Sequence, residues 1–232
     1  MPGSIFQPTD VTTTYREVFN ANFGAVRVTF DQSRLSQSYV SGETDFDSFV
    51  STTGHSNSGT GMMLVNSNGQ NQPNGVVELG ETIAIDVGTT LAIDALGLWA
   101  AGTSESMTEM AVYADSDADF SNGGTTLIAT FDVERAQGCR AYRFPTVESR
   151  FVHIELLGHG GGDFLRHGEF AVCAANTCPA DTNGDGELTP GDFNGWIIAF
   201  NNQDPACDQN GDGACTPGDF NSWILNFNAG CD

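Results

Sequence analysis

The stretch DTNGDGELTPGDFNGWIIAF, Asp181 to Phe200, recurs as DQNGDGACTPGDFNSWILNF, Asp208 to Phe227, starting twenty-seven residues later. Each copy has two parts. The first alternates oxygen-bearing side chains with glycine. In the second, Phe193, Trp196, Ile197 and Phe200 fall at i, i+3, i+4 and i+7, and Phe220, Trp223, Ile224 and Phe227 match them position for position. That period writes one apolar face on each of two short helices. Neither face can bury itself alone, so the two helices pack against each other.

The acidic part of each copy has the spacing of a calcium loop. A hard cation such as Ca²⁺ takes about six to eight oxygens at about 2.3–2.6 Å, and a twelve-residue loop supplies them from positions 1, 3, 5, 7 (backbone), 9 and 12. In the first copy these are Asp181, Asn183, Asp185, the carbonyl of Glu187, Thr189 and Asp192. In the second they are Asp208, Asn210, Asp212, the carbonyl of Ala214, Thr216 and Asp219. Gly186 and Gly213 occupy position 6, where the chain turns sharply. Thr-Pro-Gly-Asp also reads as a helix start, with Thr as N-cap, Pro at N1 and an acid at N3. DxNGDG alone also reads as a pair of Asx turns. Neither reading accounts for an oxygen at every odd ligand slot of both copies, and capping is compatible with a last ligand in the first helical turn. The expectation is two Ca²⁺ ions whose binding is coupled to folding. At about 100-fold excess over Kd each occupied site adds about 2.7 kcal/mol.

Thirty acidic residues face eight arginines and no lysine, for a formal charge of −22. Nucleic acid and anionic membrane surfaces reward clustered positive charge and are poor partners, so no nucleic-acid partner is expected. No apolar run approaches the length of a membrane span. Met-Pro-Gly-Ser at the start lacks the basic and apolar regions of a signal peptide. Six cysteines nevertheless indicate an oxidising compartment. We expect an extracellular or cell-surface protein whose export signal has been removed.

Composition changes near Cys173. Before it, short apolar or alternating runs are separated by Gly, Asn, Ser and Thr: AVRVTF (Ala25–Phe30), GVVELG (Gly75–Gly80), TIAIDV (Thr82–Val87), LAIDALGLWA (Leu91–Ala100), MAVYA (Met110–Ala114), TLIATFDV (Thr126–Val133), AYRFP (Ala141–Pro145), RFVHIELLG (Arg150–Gly158) and GEFAVC (Gly168–Cys173). These predict a mainly β fold, an N-terminal β-sandwich over residues 1–175. A short connector, AANT, leads to a small α-helical domain over residues 178–232.

DxNGDG, Asp rather than Glu at position 12, an immediate helix and tandem duplication resemble the dockerin fold. CPADTNGDG, DPACDQNGDG and CTPGDFNSWILNFNAGC are similar to bacterial GC-type dockerin tails, named for a Gly-Cys pair, here Gly230-Cys231. The resemblance covers Cys178 to Asp232. It implies a non-catalytic, calcium-dependent attachment module that docks onto a cohesin-like or cell-surface protein through positions 10 and 11 of each loop. Those positions are Pro190-Gly191 and Pro217-Gly218, without the hydroxyl or basic side chains that usually dock. The cysteines suit this tail: Cys178 with Cys231 clasps its ends, Cys207 with Cys215 brackets the second loop, and Cys139 with Cys173 remains for the sandwich.

IAIDVG, LAIDALGLWA, MAVYADSDADF, the run Tyr142–Gly158 and GEFAVC, in that order, resemble the galactose-binding-like or discoidin-type jelly roll. That resemblance covers Asn74 to Cys173. It implies a binding module for sugars, cell surfaces or proteins, often with a structural calcium of its own, and a last strand that carries a Glu, here Glu169. Asp45 and Asp47, in SGETDFD, are candidates to join Glu169 around such an ion, against the reading of exposed loop acids. DSDAD (Asp115–Asp119) reads as a plain acidic turn, with Phe120 where a calcium loop needs glycine. Candidate ligand-binding residues are His55, Trp99, Arg140 and Arg143, with core packing as the competing reading of Trp99.

Enzyme signatures are weak. GHGGG (Gly158–Gly162) lacks an accompanying G-x-S-x-G nucleophile elbow. His153, His159 and His167 lack metal-site spacing. We therefore expect no enzyme but a secreted binding protein: a sandwich recognising a polysaccharide or surface ligand, attached through the tail. The competing reading is a self-associating subunit of an extracellular matrix or fibre.

Overall fold

The structure is a computed structural model that describes residues 3–14, 26–56, 63–65, 79–100, 106–134, 138–161, 165–175, 178–184, 187–210, 212 and 214–230. Asp185, Cys231 and most of the expected strand at Gly75–Gly80 lie outside these residues. The chain divides into two compact units, Gly3–Ala175 and a second built on Asn176–Asp232.

The first unit contains strands β1 (Ser4–Phe6), β2 (Asp10–Thr13), β3 (Met63–Val65), β4 (Thr82–Ala100), β5 (Met107–Asp115), β6 (Thr126–Asp132), β7 (Cys139–His159) and β8 (Leu165–Ala174), and helix α1 (Phe46–Thr52). All the pairings are antiparallel, in the order β1-β8-β4-β7-β5-β6, with β2 added to β4 and β3 to β8. β4 and β7 are long enough to serve two layers. The first half of β4 pairs with β2 and with Phe151–Glu155 of β7, which continues into β5 and β6. Its second half pairs with Cys139–Ser149 of β7 and with β8. Between the halves Gly88 adopts φ +86°, a left-handed backbone that costs glycine little. TIAIDV and LAIDALGLWA are thus one bent strand, as are AYRFP and RFVHIELLG.

Alternation then assigns the faces. Ile83, Ile85 and Val87 of β4, Met110 and Val112 of β5, and Val152, Ile154 and Leu156 of β7 enter the core between the layers, with Phe170 and Val172 of β8. A register shift between Ile93 and Ala95 inverts the parity of β4. Ile93, Leu96 and Leu98 consequently point inward, while Ala95 and Trp99 face the other way. That outer face is covered in turn by Ile5, Tyr39 and the α1 residues Phe46, Phe49 and Val50. Each such side chain contributes about 1.5–3 kcal/mol by leaving water.

Two local expectations are corrected, and one helix is added. The run AVRVTF forms no strand: Val26–Thr29 is a 3-10 turn. Val26 and Phe30 there are buried in the inter-layer core, and tertiary packing overrides the β propensity of its branched residues. Helix α1 was invisible to periodicity, being seven residues long. Asp45 caps it by accepting from the Ser48 N–H at 2.7 Å. Cys139 and Cys173 are free thiols, not a bridge. Cys139 opposes Trp99 on one side of β4 and Cys173 opposes Ala95 on the other. The intervening strand holds their Cα atoms about 10 Å or more apart, beyond the roughly 7 Å limit for a disulfide.

The second unit carries helices α2 (Pro190–Asn202) and α3 (Gly218–Ala229). Thr189 and Asp192 form a reciprocal capping box at α2, with the Thr189 N–H donating to Asp192 Oδ2 at 2.7 Å. Thr216 and Asp219 repeat that bond at 2.7 Å. Trp196 and Trp223 are buried with Ala180, and Leu188, Phe200, Phe220 and Phe227 pack around them. Ring contacts come in symmetric pairs: Phe193 to Trp223 at 5.4 Å and Phe220 to Trp196 at 5.3 Å. The sequence period is realised in part: Trp196, Phe200, Phe220, Trp223 and Phe227 form the tail core, whereas Phe193, Ile197 and Ile224, expected on the same faces, are exposed at 37% each, because the short helices bury a stripe narrower than the period writes. Cys207 and Cys215 form a disulfide, and Cys178 is disulfide-bonded as well.

Candidate functional site

In the duplicated loops the acids and Asn210 accept from backbone N–H groups of their own loop. In the second, Asp208 Oδ1 and Asn210 Oδ1 both accept from the Asp212 N–H, at 3.2 and 2.8 Å. Asp212 Oδ1 accepts from the Ala214 N–H at 2.9 Å. Asp219 Oδ1 accepts from the N–H groups of Gln209 and Asn210, at 3.0 and 3.3 Å. Burial pushes the Asp219 carboxyl upward, but the Thr216 N–H and hydroxyl, with those two amides, outweigh it and hold it below the ordinary range. In the first loop Asp181 Oδ1 accepts from the Gly184 N–H at 2.8 Å, and Asp192 Oδ1 from the Asn183 N–H at 3.4 Å.

Asp181, Asp192 and Asp219 are buried, at 4%, 0% and 0% exposure. Residues 176–232 contain no Lys, Arg or His to neutralise them. A buried carboxylate is costly unless charge or hydrogen bonds compensate it, and backbone N–H groups donate to all three. The remaining donors are amide, hydroxyl and carbonyl oxygens, the set a hard divalent cation takes. The donor chemistry therefore fits calcium. Among the described residues no three His, Cys, Asp or Glu side chains are already drawn together as a metal cluster.

A separate cradle surrounds Glu169 on β8, which is 1% exposed. Burial first, and the neighbouring Asp31 carboxylate second, push its carboxyl up to about 8. The N–H groups of Gln32 and Arg34 donate to it and oppose that rise. Its Oε1 has no hydrogen-bond partner. Gln32 sits at φ +61°, a strained backbone for a side-chain-bearing residue. The Gln32 Oε1 accepts from the Tyr39 N–H at 2.9 Å, and the Tyr39 hydroxyl donates to Gln7 Oε1 at 2.8 Å. Burial and Glu169 together raise the Tyr39 phenol. Two carboxylates, one buried with a spare oxygen, fit a cation here as well.

The acids expected beside Glu169 lie elsewhere. Asp45 bridges Ser4, which opposes Ala174. Ala174 is five residues along β8 from Glu169, about 17 Å in an extended strand. Asp47 instead accepts from Arg143 Nη2 at 2.5 Å. Asp31 takes their place, and nothing in the sequence linked it to a strand 138 residues away. In DSDAD, Asp115, Asp117 and Asp119 each accept from backbone N–H groups of their own turn. Phe120 folds back over His153 and Tyr113, with centroids at 5.5 and 5.0 Å.

Among the candidate ligand contacts, Trp99 is a core residue at 0% exposure, its indole N–H donated to the Thr53 carbonyl at 2.8 Å. The bulge parity described above turns it under α1, away from any ligand. His55 packs against β8 where only glycine fits: a Cβ on Gly168 would lie 2.8 Å from its ring and 2.5 Å from the Trp99 carbonyl oxygen. Arg140 and Arg143 are half exposed on β7. Glu134 holds Arg140 at 2.7 Å. Asp47 and Asp94 flank Arg143, which also lies 5.7 Å over the Phe46 ring.

No family model matches the chain, and no curated protein does. Solved structures do. The C-terminal domain of a chitobiase from Bacteroides fragilis is 16% identical, with a TM-score of 0.50 over 74% of this chain and 97% of that one. A structure holding the CBM32-1, CBM32-2 and M60 catalytic domains of Clostridium perfringens ZmpB is 11% identical, with a TM-score of 0.51 over 96% of this chain and 20% of that one. A CBM32 module of Clostridium perfringens CpGH89, in complex with GalNAc-β-1,3-galactose, is 14% identical, with a TM-score of 0.49 over 71% and 94%. At these identities the likeness is one of fold: the β unit shares the antiparallel sandwich fold of these domains.

Proposed function

We propose that the chain is a secreted, non-catalytic carbohydrate-binding protein, in which the jelly roll recognises a glycan and the tail attaches it, in a calcium-dependent manner, to a cohesin-like or cell-surface protein. The observation that supports this reading is the likeness of fold to the C-terminal domain of a chitobiase, over 97% of that domain, and to a structure that holds two CBM32 domains of ZmpB. The half-exposed guanidinium groups of Arg140 and Arg143, oriented by Glu134, Asp47 and Asp94, are the donors we assign to sugar hydroxyls.

In the tail, Asp181, Asn183, Asp185, the Glu187 carbonyl, Thr189 and Asp192 hold one ion, and Asp208, Asn210, Asp212, the Ala214 carbonyl, Thr216 and Asp219 hold the other. Glu169 and Asp31 hold a third in the sandwich. Calcium would add positive charge beside the buried carboxylates of Asp192, Asp219 and Glu169. The chain's own residues cap the helices and order the loops around it.

The test is binding of the full chain to a panel of polysaccharides and cell-wall material, in calcium and again in chelator. Saturable binding that Arg143→Ala weakens about tenfold or more supports the reading. Folded protein that binds nothing on the panel refutes it.

A further inference from the structure

The two halves of the tail hold each other by the backbone that leads into each loop. Trp196, on α2 after the first loop, donates its indole N–H to the carbonyl of Cys207 at 3.2 Å. Cys207 immediately precedes Asp208, the first residue of the second loop. Trp223, on α3 after the second loop, donates to the carbonyl of Ala180 at 3.0 Å, and Ala180 immediately precedes Asp181. Each tryptophan stands four residues after the last acid of its own loop, Asp192 or Asp219, and therefore on the same helical face. A second link runs beside the first. Gln209, at position 2 of the second loop, donates to the Pro179 carbonyl at 2.7 Å, while its own N–H is held by Asp219 at 3.0 Å. Asn226 of α3 steadies it through bonds to its backbone carbonyl and Oε1, both 3.1 Å.

From this reciprocal clasp we infer that the two loops are one positively coupled unit: ordering either loop positions the backbone at the head of the other. The inference rests on the calcium reading of the loops and adds their regulation. Filling the second loop fixes Asp219, and with it Trp223 and Gln209, which hold Pro179 and Ala180 in place for Asp181. The first loop then loses less conformational freedom when it takes its own ion. The order of filling also follows. The second loop is closed by the Cys207–Cys215 disulfide, whereas Ala180 and Leu188 occupy the matching positions of the first. The covalently constrained loop fills first and prepares the other.

The experiment is calorimetric calcium titration of the chelator-stripped full chain, in a Glu169→Gln background so that the heats come from the tail. Asp212→Ala disables the second loop. The second ion to enter the Glu169→Gln parent is expected to bind about tenfold more tightly than the single ion bound by Asp212→Ala. Placing Trp223→Phe in both proteins keeps the ring, removes the indole N–H and shrinks that ratio toward one. Gln209→Met, which removes only the link to Pro179, shrinks it in part and covers the case in which the tryptophan variant does not fold. A tail that takes up no calcium overturns the site reading beneath the inference. Two ions with a ratio near one in the Glu169→Gln parent, or a ratio untouched by both link variants, overturn the coupling and leave the sites standing.

Discussion

Glu169 carries the sharpest consequence of the structure. Its carboxyl is 1% exposed and is pushed up to about 8, from an ordinary value of 4.5, by burial and by Asp31. Without metal, the folded protein therefore holds a proton on Glu169 across a range in which the unfolded chain has released it. The folded state binds more protons, so stability falls with rising pH. It is fully present below about 4.5 and is lost progressively as pH climbs to about 8. Integrated between roughly pH 5 and pH 8, one such group accounts for about 3–4 kcal/mol. The assay is urea unfolding in chelator, followed by the β-sheet circular dichroism of the sandwich, for the native protein and for Glu169→Gln. The stability difference between the two removes the titrating groups that do not interact with Glu169, and it is expected to decline by about that amount over the interval. Saturating calcium pairs with the ionised carboxylate and flattens the decline. A difference that stays level from pH 5 to pH 8 in chelator would refute both the desolvation argument and the assignment of this oxygen to a cation.

Trp99→Ala removes a core ring and its bond to the Thr53 carbonyl, and is expected to cost about 3–5 kcal/mol in denaturant unfolding. Because no part of Trp99 reaches solvent, glycan affinity of the protein that remains folded is unchanged; a selective loss of affinity would overturn the core assignment. Thiol titration in denaturant without reductant is expected to find Cys139 and Cys173 reactive, and mass mapping that joins them would contradict the placement of β4 between them. Thr189→Ala breaks one half of the capping box on α2. It should lower the thermal stability of the tail by about 1 kcal/mol, and no change would remove the cap from the account of the loop. Light scattering in calcium and in chelator separates attachment from assembly, since calcium-dependent growth in mass is expected only of a matrix or fibre subunit.

Much of the tail was legible in the sequence because its information is local and written twice. The Thr-Pro-Gly-Asp helix start and the aromatic positions of the helix face lie within one loop-helix unit, and Thr189, Asp192, Trp196 and Trp223 stand in the structure where that reading put them. The Cys207–Cys215 bridge was legible for the same reason. Sandwich strands were legible as apolar alternation, from Thr82 onward. Their joining into two bent strands was not, because a bend inside a strand leaves no break in the pattern. The partners of the acids were misread for a related cause. Asp45 and Asp47 share one short segment with each other, so proximity in sequence made them candidates; Glu169 meets Asp31 only because the loop after Phe30 is laid across β8.

What the sequence determined by itself, then, is whatever depends on a few consecutive residues: the acidic loops, the two helices with their caps, and the alternating strands. Register and layering were decided by the tertiary structure. A single register shift near Asp94 reverses the faces of β4 and sends Trp99 into the core beneath α1 instead of toward a ligand. The same strand parts Cys139 from Cys173, and the crossing of the two helices sets each tryptophan on the loop it does not belong to. Such contacts join residues tens to hundreds of positions apart, and their free energy exists only once the chain has closed those distances.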